Sequence, residues 1–410
     1  MSLPSHIDVA IVGAGAAGLA AARTLENSGL STLILEARDR IGGRAHTMIV
    51  GDGIPFDLGC GWLHSADENP FVAIAEQLGF EVNRSLPPWR LRSYKDVFPQ
   101  KERDEFFAAL DAFFTRTEAA ARRAQDSVAS DCLEPGNRWN PMIDAISTYI
   151  NGCELDQVSV KDFEAYKDTE INWRVPRGYG ALIAAYGAPC QVALNCNVAR
   201  VDHSGPRIRI ETSRGTLTAD KVIVCAPTDL IASEAIRFHP ALPEKVNAAA
   251  MLPLGADDKV MLALTGDHDL PPDGNLRGAT MRTAMGTYHL RPFGRDCIEG
   301  FFGGRYAREL ENAGEGAMAA TAIDEIVSLL GSDYRGKLIP LGASHWSRDP
   351  FARGSYSHAL PGHADKRAVL AAPVNGRIFF AGEATSPDFF TTAHGAQQSG
   401  VRAAKEVMGE

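Results

Sequence analysis

With 410 residues, 45% hydrophobic and 22% charged, the chain can build two full cores, which excludes a disordered protein. Its 41 basic and 51 acidic residues give a net charge of −10, which argues against a nucleic-acid surface as the main function. Seven scattered cysteines form no CxxC pair, so no disulfide framework or metal site is signalled, and a reducing, cytoplasmic compartment is expected. No run of about 18 apolar residues suggests a membrane span, and neither a leader nor a tail anchor is expected.

The apolar run Ile7 to Val12 predicts a strand buried on both faces. Gly13, Gly15 and Gly18 follow as GxGxxG, with Ala17 between them. The first glycine permits a tight turn, the second lets backbone approach a pyrophosphate, and the third lets the helix lie close on the strand. A helix over Ala16 to Ser28 and a strand over Thr32 to Leu35 complete a βαβ unit. Glu36 then stands where an acid accepts hydrogen bonds from ribose hydroxyls and disfavours a 2′-phosphate. The spacing predicts an unphosphorylated dinucleotide and leaves NAD and FAD open. In RDRIGGRA, Arg38 to Ala45, the residues Gly43 and Arg44 add a second close backbone approach and a guanidinium for the same pyrophosphate. This double signature resembles the FAD-binding start of the flavin-containing amine oxidase superfamily.

His46 to Val50 reads as a short strand and GDGIPFD as a turn. In DLGCGWLH, Gly59 and Gly61 bracket Cys60 ahead of Trp62, the pattern of a backbone that passes flat against something bulky. The resemblance implies that this is the isoalloxazine ring, and the continuation is most similar to the polyamine oxidase and histone demethylase branch. Cys60 departs from the glycine or alanine usual there. His64 reads either as a loop histidine bonded to backbone or, through the resemblance, as a substrate contact.

A short strand with turns is expected over 86–99. Lys101 to Ser127 predicts an amphipathic helix whose Phe106, Phe107, Leu110, Phe113 and Phe114 form a stripe that reads as core. Helical segments follow at Asn140 to Ile150 and Leu155 to Ala165. Ile171 to Gly187 is similar to the family's glycine-centred entry into a helix. Between Val192 and Ala226 the period becomes two, predicting a β-meander that ends in a buried strand from Lys221. The resemblance implies that backbone at Val198 holds the adenine edge.

Lys259 opens an apolar strand over Val260 to Leu264 and reads as a solvated strand-start lysine. The resemblance instead implies a lysine that holds a water against flavin N5. Strands at Thr287 to Arg291 and Cys297 to Gly303 and a helix at Ala317 to Leu330 follow. Trp346 reads as a buried structural tryptophan or as a wall of the substrate cavity. The strand Arg377 to Ala381 delivers Gly382 and Glu383 to a carboxyl edge, where Glu383 can accept a ribityl hydroxyl. Thr392 and Ala393 open a last helix whose amides favour negative charge on the flavin pyrimidine. They occupy the place of a paired-tyrosine cage and so resemble polyamine oxidases, with Thr392 on the substrate cavity.

The expected fold is α/β: a doubly wound, Rossmann-like FAD-binding domain over 1–80, 190–235 and 342–410, with a mixed-sheet α+β substrate domain over 81–189 and 236–341. The resemblance implies hydride transfer from an amine α-carbon to flavin N5, imine hydrolysis and reoxidation by O2 to H2O2. FAD is expected to be non-covalent, because no cysteine follows Cys297. Partners are then a small amine and O2, without nucleic acid or membrane. The rival readings are a dehydrogenase or desaturase acting on a non-amine, and an FAD-binding interaction protein without turnover.

Overall fold

The N-terminal apolar run folds as the strand His6–Val12, central in a sheet of eight strands. The computed structural model describes residues 3–91, 93–95, 98–278 and 281–410. His6–Val12 pairs in parallel with Thr32–Leu35 on one side and with Gly215–Val224 on the other, Ile11 lying opposite both Ile34 and Ile223. Ile378–Phe380 adds in parallel against the same Gly215–Val224 strand. The first half of that ten-residue strand runs antiparallel to Ile208–Thr212. The separate strand expected from Lys221 is therefore the continuation of the meander, and one strand serves both pairings.

Alternation explains the layers. Val9, Ile11 and Ile34 face a cluster with Leu19, Ala22 and Leu25 of the helix Ala16–Leu25, while Ala10, Val12 and Leu35 face the opposite cluster. The helix stops at Leu25, short of the expected Ser28, because Asn27 to Gly29 already turn toward the second strand. The C-terminal helix Ala393–Met408 lies against it. A Cβ on Gly400 would sit 2.0 Å from the Ala17 carbonyl oxygen, so the two helices meet backbone to backbone.

A second sheet of five strands has the order Gly274–Arg277, Thr287–Leu290, Cys297–Gly303, Asp257–Leu264, Leu338–Ala343, every pairing antiparallel. One face buries Val260, Leu262, Leu290, Ile298 and Phe302 against helices Gly304–Ala313 and Ala317–Leu330. The other face is half covered. Val50 and Phe56 of the hairpin Thr47–Val50 and Ile54–Asp57 pack on Met261 and Cys297, leaving the row with Lys259 open. The stretch expected to be only a turn, 51–57, thus supplies the second strand of that hairpin.

The helix Gln100–Ala121 ends six residues before the expected Ser127, and with Asn140–Ile150 and Val160–Ala165 it forms a third cluster around Trp139 and Phe113. Leu155–Gln157 is a separate turn of 3₁₀ helix. Of the strand expected over 86–99, Arg92, Asp96 and Val97 lie outside the described residues, and Pro88–Arg90 is a 3₁₀ turn. Among the described residues no helix is long and apolar enough to cross a membrane.

Because the terminal helix cannot move off the first without opening the core, Gly400→Ala is expected to lower unfolding stability by about 1–3 kcal/mol. Urea denaturation measures this. An unchanged midpoint would mean that the helix pair separates at no cost.

Candidate active site

A cavity of about 960 Å³ reaches from the Gly13 turn to the open face of the second sheet. At its first end Gly13, Gly15 and Ala17 line the wall and Gly18 does not. The reason is steric: a Cβ on Gly18 would lie 1.9 Å from Gly13 O, whereas one on Gly15 would meet nothing within 4 Å. Gly18 lets helix meet strand and Gly15 leaves room for a ligand. The helix beginning at Ala16 has no side-chain cap, so its first amides are available to an anion. Gly43, at φ +59°, would bring a Cβ to 3.2 Å from Gly15 Cα, which closes the cradle from the far side.

Glu36 is buried at the rim, accepting from Ala14 N (2.6 Å) and Arg38 N (2.8 Å). Arg38 lines the cavity with its guanidinium clamped on Asp349 at 2.7 and 2.8 Å. Asn197 and Val198 line this end too. Arg44 donates to the Ser355 carbonyl and to Glu383 (3.1 Å). The remaining acceptor positions of Glu383 take Ser357 N (3.2 Å), Ser357 Oγ (2.7 Å) and Thr391 N (3.1 Å). A carboxylate offers about four such positions, so Glu383 works by fixing Arg44 and two loops around the cavity. Gly382 beside it needs φ +130°. Thr392 accepts from Gly395 N (3.0 Å) and caps the last helix, with Ala393 beside it on the wall.

Further in, the chain passes Gly59 to Gly61 without room for side chains. A Cβ on Gly59 would stand 1.8 Å from Arg44 O and 3.2 Å from the Trp346 ring, and one on Gly61 would stand 3.0 Å from Lys259 Nζ. Trp346 is buried, its indole N–H held by Leu58 O (2.9 Å) while the ring lines the cavity. Burial pushes the Cys60 thiol up to about 12, so it stays protonated and inert as a nucleophile. Trp62 meets Trp89 edge-on at 4.4 Å and lies under the Arg174 guanidinium at 4.8 Å. His64 Nδ1 is 2.6 Å from Asn172 Oδ1; burial lowers its pKa, so a neutral imidazole donates there and leaves Nε2 as an acceptor.

Lys259 is buried with Nζ 3.3 Å from Glu299 Oε1. The other Glu299 oxygen accepts from Arg174 (2.8 Å), whose second nitrogen lies 2.9 Å from His289 Nδ1. Arginine only donates, so His289 accepts at Nδ1 and donates from Nε2 to Asp273 (3.0 Å). Burial alone would raise the Glu299 carboxyl; the Arg174 and Lys259 cations reverse this and hold it near about 2. Two residues before Lys259 on the same face, Asp257 keeps a buried Oδ1 without a hydrogen-bond partner among the described residues. Burial pushes it to about 7, against the pull of Lys259.

The stripe on the helix Gln100–Ala121 is not simply core. Phe106 and Phe113 are buried, but Phe107 and Phe114 are exposed at 51% and 38%, and Phe106, Phe107, Leu110 and Phe114 line the cavity. The apolar face of this helix therefore serves a core and an opening at once.

A family model described as flavin containing amine oxidoreductase matches residues 16–408. The chain belongs to this family. Polyamine oxidase 4 of Oryza sativa subsp. japonica is 28% identical over 443 residues, spanning 97% of this chain and 88% of that one. Lysine-specific histone demethylase 2 of Homo sapiens is 27% identical over 445 residues, spanning 97% of this chain and 53% of that one. In fold the chain is similar to a putrescine oxidase solved with putrescine, at a TM-score of 0.80 and 19% identity, with all of both chains covered. The fold is thus the α/β arrangement of the FAD amine oxidases, and the cofactor is FAD, held without a covalent bond. The empty volume over Gly15 and the uncapped helix start suit its pyrophosphate.

Residues brought to the site without an expectation from sequence are Arg174, Glu299, His289, Asp257 and Arg277. A signal existed for Glu299, the one acid inside the otherwise apolar strand Cys297–Gly303. Two predictions follow from the geometry. Gly18→Ala should unfold at lower urea, whereas Gly15→Ala should keep its stability and lose FAD affinity at least tenfold; equal effects on both measurements would refute the division of labour. Glu299 has a folded pKa below its unfolded value, so its stabilisation is complete above about pH 4.5 and is lost toward pH 2. The loss, about 3 kcal/mol, should appear in wild-type urea titrations and be absent in Glu299→Gln.

Proposed function

We propose that the protein oxidises an amine at the carbon bearing nitrogen, giving an imine that water hydrolyses. What carries this reading is a buried lysine, Lys259, beside a flat glycine passage at one end of an aromatic-lined cavity, in a chain of the flavin amine oxidoreductase family. FAD supplies the hydride acceptor at N5, and O2 the final oxidant, with H2O2 as product.

The pyrophosphate falls to Gly13, Gly15, Ala17, Gly43 and Arg44, the ribose to Glu36, with Arg38 at the rim, and the adenine edge to Val198. Gly59, Cys60, Gly61 and Trp62 border the ring system, with Gly382, Glu383, Thr392 and Ala393 on the opposite wall. Lys259 holds a water toward the reacting end; Glu299 fixes its ammonium in place. Trp62 and Trp346 shape the space, with His64 and Thr392 at its border. A neutral amine is needed, because an ammonium has no lone pair to assist hydride departure. The aromatic wall favours that form by desolvation, and Asp257 offers a carboxyl oxygen to the substrate nitrogen. No residue has to act as a dedicated acid or base.

Lys259→Met is expected to retain bound FAD and its oxidised spectrum while slowing anaerobic reduction by amine, or reoxidation by O2, at least tenfold. Stopped-flow absorbance measures both half-reactions. Unchanged rates in both would remove Lys259 from the chemistry, and failure of every primary, secondary and polyamine to bleach the flavin would overturn amine oxidation itself.

A further inference from the structure

Amine oxidation says nothing of what the rest of the substrate carries. Five lysine and arginine side chains line the cavity, and four have carboxylate partners: Arg38 with Asp349, Arg44 with Glu383, Arg90 with Glu170 (2.6 Å) and Lys259 with Glu299. The fifth is Arg277. Its guanidinium has no hydrogen-bonding or ionic partner among the described residues. Burial lowers its pKa, and the neighbouring ionisable group is the Tyr149 phenol, which donates to Met285 O at 2.5 Å. Glu325, a carboxylate that reaches this edge of the sheet, accepts from Tyr288 Oη (2.6 Å) and Gly286 N (3.0 Å), both at Oε2, and makes no ion pair with Arg277. A partly buried cation with open donors keeps some of its hydration and gains most from a ligand that supplies the counter-charge.

Register puts this cation on one line with the reacting end. Arg277 lies opposite Thr287, Thr287 opposite Phe301, and Phe301 opposite Lys259. Directly paired residues share a face, and all four line the cavity. Three strand spacings separate Arg277 from Lys259, about 14 Å between backbone positions, shortened by the reach of the arginine. Along this row an amine held near Lys259 would direct its far end to Arg277.

We propose, building on the amine-oxidation reading, that Arg277 binds a carboxylate at the far end of the substrate, so that the preferred substrates are amines bearing a remote carboxylate. An α-amino acid does not fit, because its carboxylate is one bond from the reacting carbon. A diamine would set a second cation against Arg277. The planar guanidinium matches a carboxylate with two parallel hydrogen bonds, and a site built for such a pair rejects the analogue that cannot make it.

The test uses the FAD-loaded protein with 6-aminohexanoate, its methyl ester and 1,6-diaminohexane as reductants, and adipate as an unreactive probe. Anaerobic stopped-flow gives the reduction rate over Kd, and perturbation of the flavin spectrum gives adipate binding. The acid is expected to exceed the ester and the diamine at least tenfold. In Arg277→Gln that ratio should collapse toward one and adipate binding should weaken at least tenfold, with partial recovery of both in Arg277→Lys. FAD content and the urea midpoint report folding of each variant. Reduction by the ester or the diamine as fast as by the acid, or an acid-to-ester ratio untouched in Arg277→Gln, overturns the carboxylate site while leaving amine oxidation standing. Adipate binding that depends on Arg277 with no amine reducing the flavin supports the anion site and sinks the oxidase reading instead.

Discussion

The carboxylate of Glu299, 1% exposed, sits between the cations of Lys259 and Arg174, and the place of Lys259 on the cavity wall depends on that arrangement. A buried charge is tolerable only when paired and hydrogen-bonded, and here the two partners come from different parts of the chain. Lys259 belongs to the five-stranded sheet. Arg174 belongs to the segment that leads through Gly178 into the helix Tyr179–Gly187, whose first amides are bound by Asp57 of the hairpin. Glu299 thus ties the sheet to the return segment, and Asp57 ties that segment to the hairpin. Removing Glu299 would leave two buried cations facing each other, so Lys259 owes its position to electrostatics as much as to its strand.

The cofactor end rests on a different constraint, the distance at which two backbones can meet. Gly18 against Gly13, Gly400 against Ala17 and Gly59 against Arg44 each place a carbonyl oxygen about where a methyl group would stand. Gly15 lacks any such neighbour. The same residue type therefore does two jobs within four positions of the chain, packing at Gly18 and vacancy at Gly15. The electrostatic cluster and the backbone contacts converge at Gly61, whose missing Cβ leaves the space next to Lys259 Nζ.

Much of this was legible in the sequence because it depends on local signals. The βαβ unit follows from an apolar run, a glycine spacing and a helix of alanine and leucine, and the segment around Gly382 from a short buried strand and its end. The family resemblance reached Lys259 where composition alone favoured a solvated lysine. What could not be read is which face of an element meets a cavity. Alternation puts Asp257, Lys259 and Met261 on one side of a strand, yet Met261 is covered by Phe56 while Lys259 and Asp257 border the opening. The helix with Phe106 and Phe114 has an apolar face in either case, and amphipathicity is blind to whether it faces core or cavity. Arg277 carried no local signal, because an arginine at a strand end looks solvated until the register of three partner strands is known.

The antiparallel sheet also keeps the two proposed roles, reaction at Lys259 and selection at Arg277, apart. Lys259 and its partner Glu299 occupy two of the three inner strands, with direct pairings on both sides, whereas Arg277 ends the outermost strand Gly274–Arg277, whose ladder is with Thr287–Leu290 and whose other side carries an isolated bridge from Ser93 to Asn275. A strand at this margin can change the side chain at its end with little effect on the ladder beyond its immediate neighbours. The charge cluster runs through Glu299 and His289, two register positions from the line that joins Lys259 to Arg277 and so the next row on the same face. Substitution at the edge therefore leaves the ion pairs of the buried acid at the near end untouched, as the proposed division of roles requires. In the proposed reading the strand spacing sets the substrate length, since each intervening strand adds about 4.8 Å to the distance between the two ends.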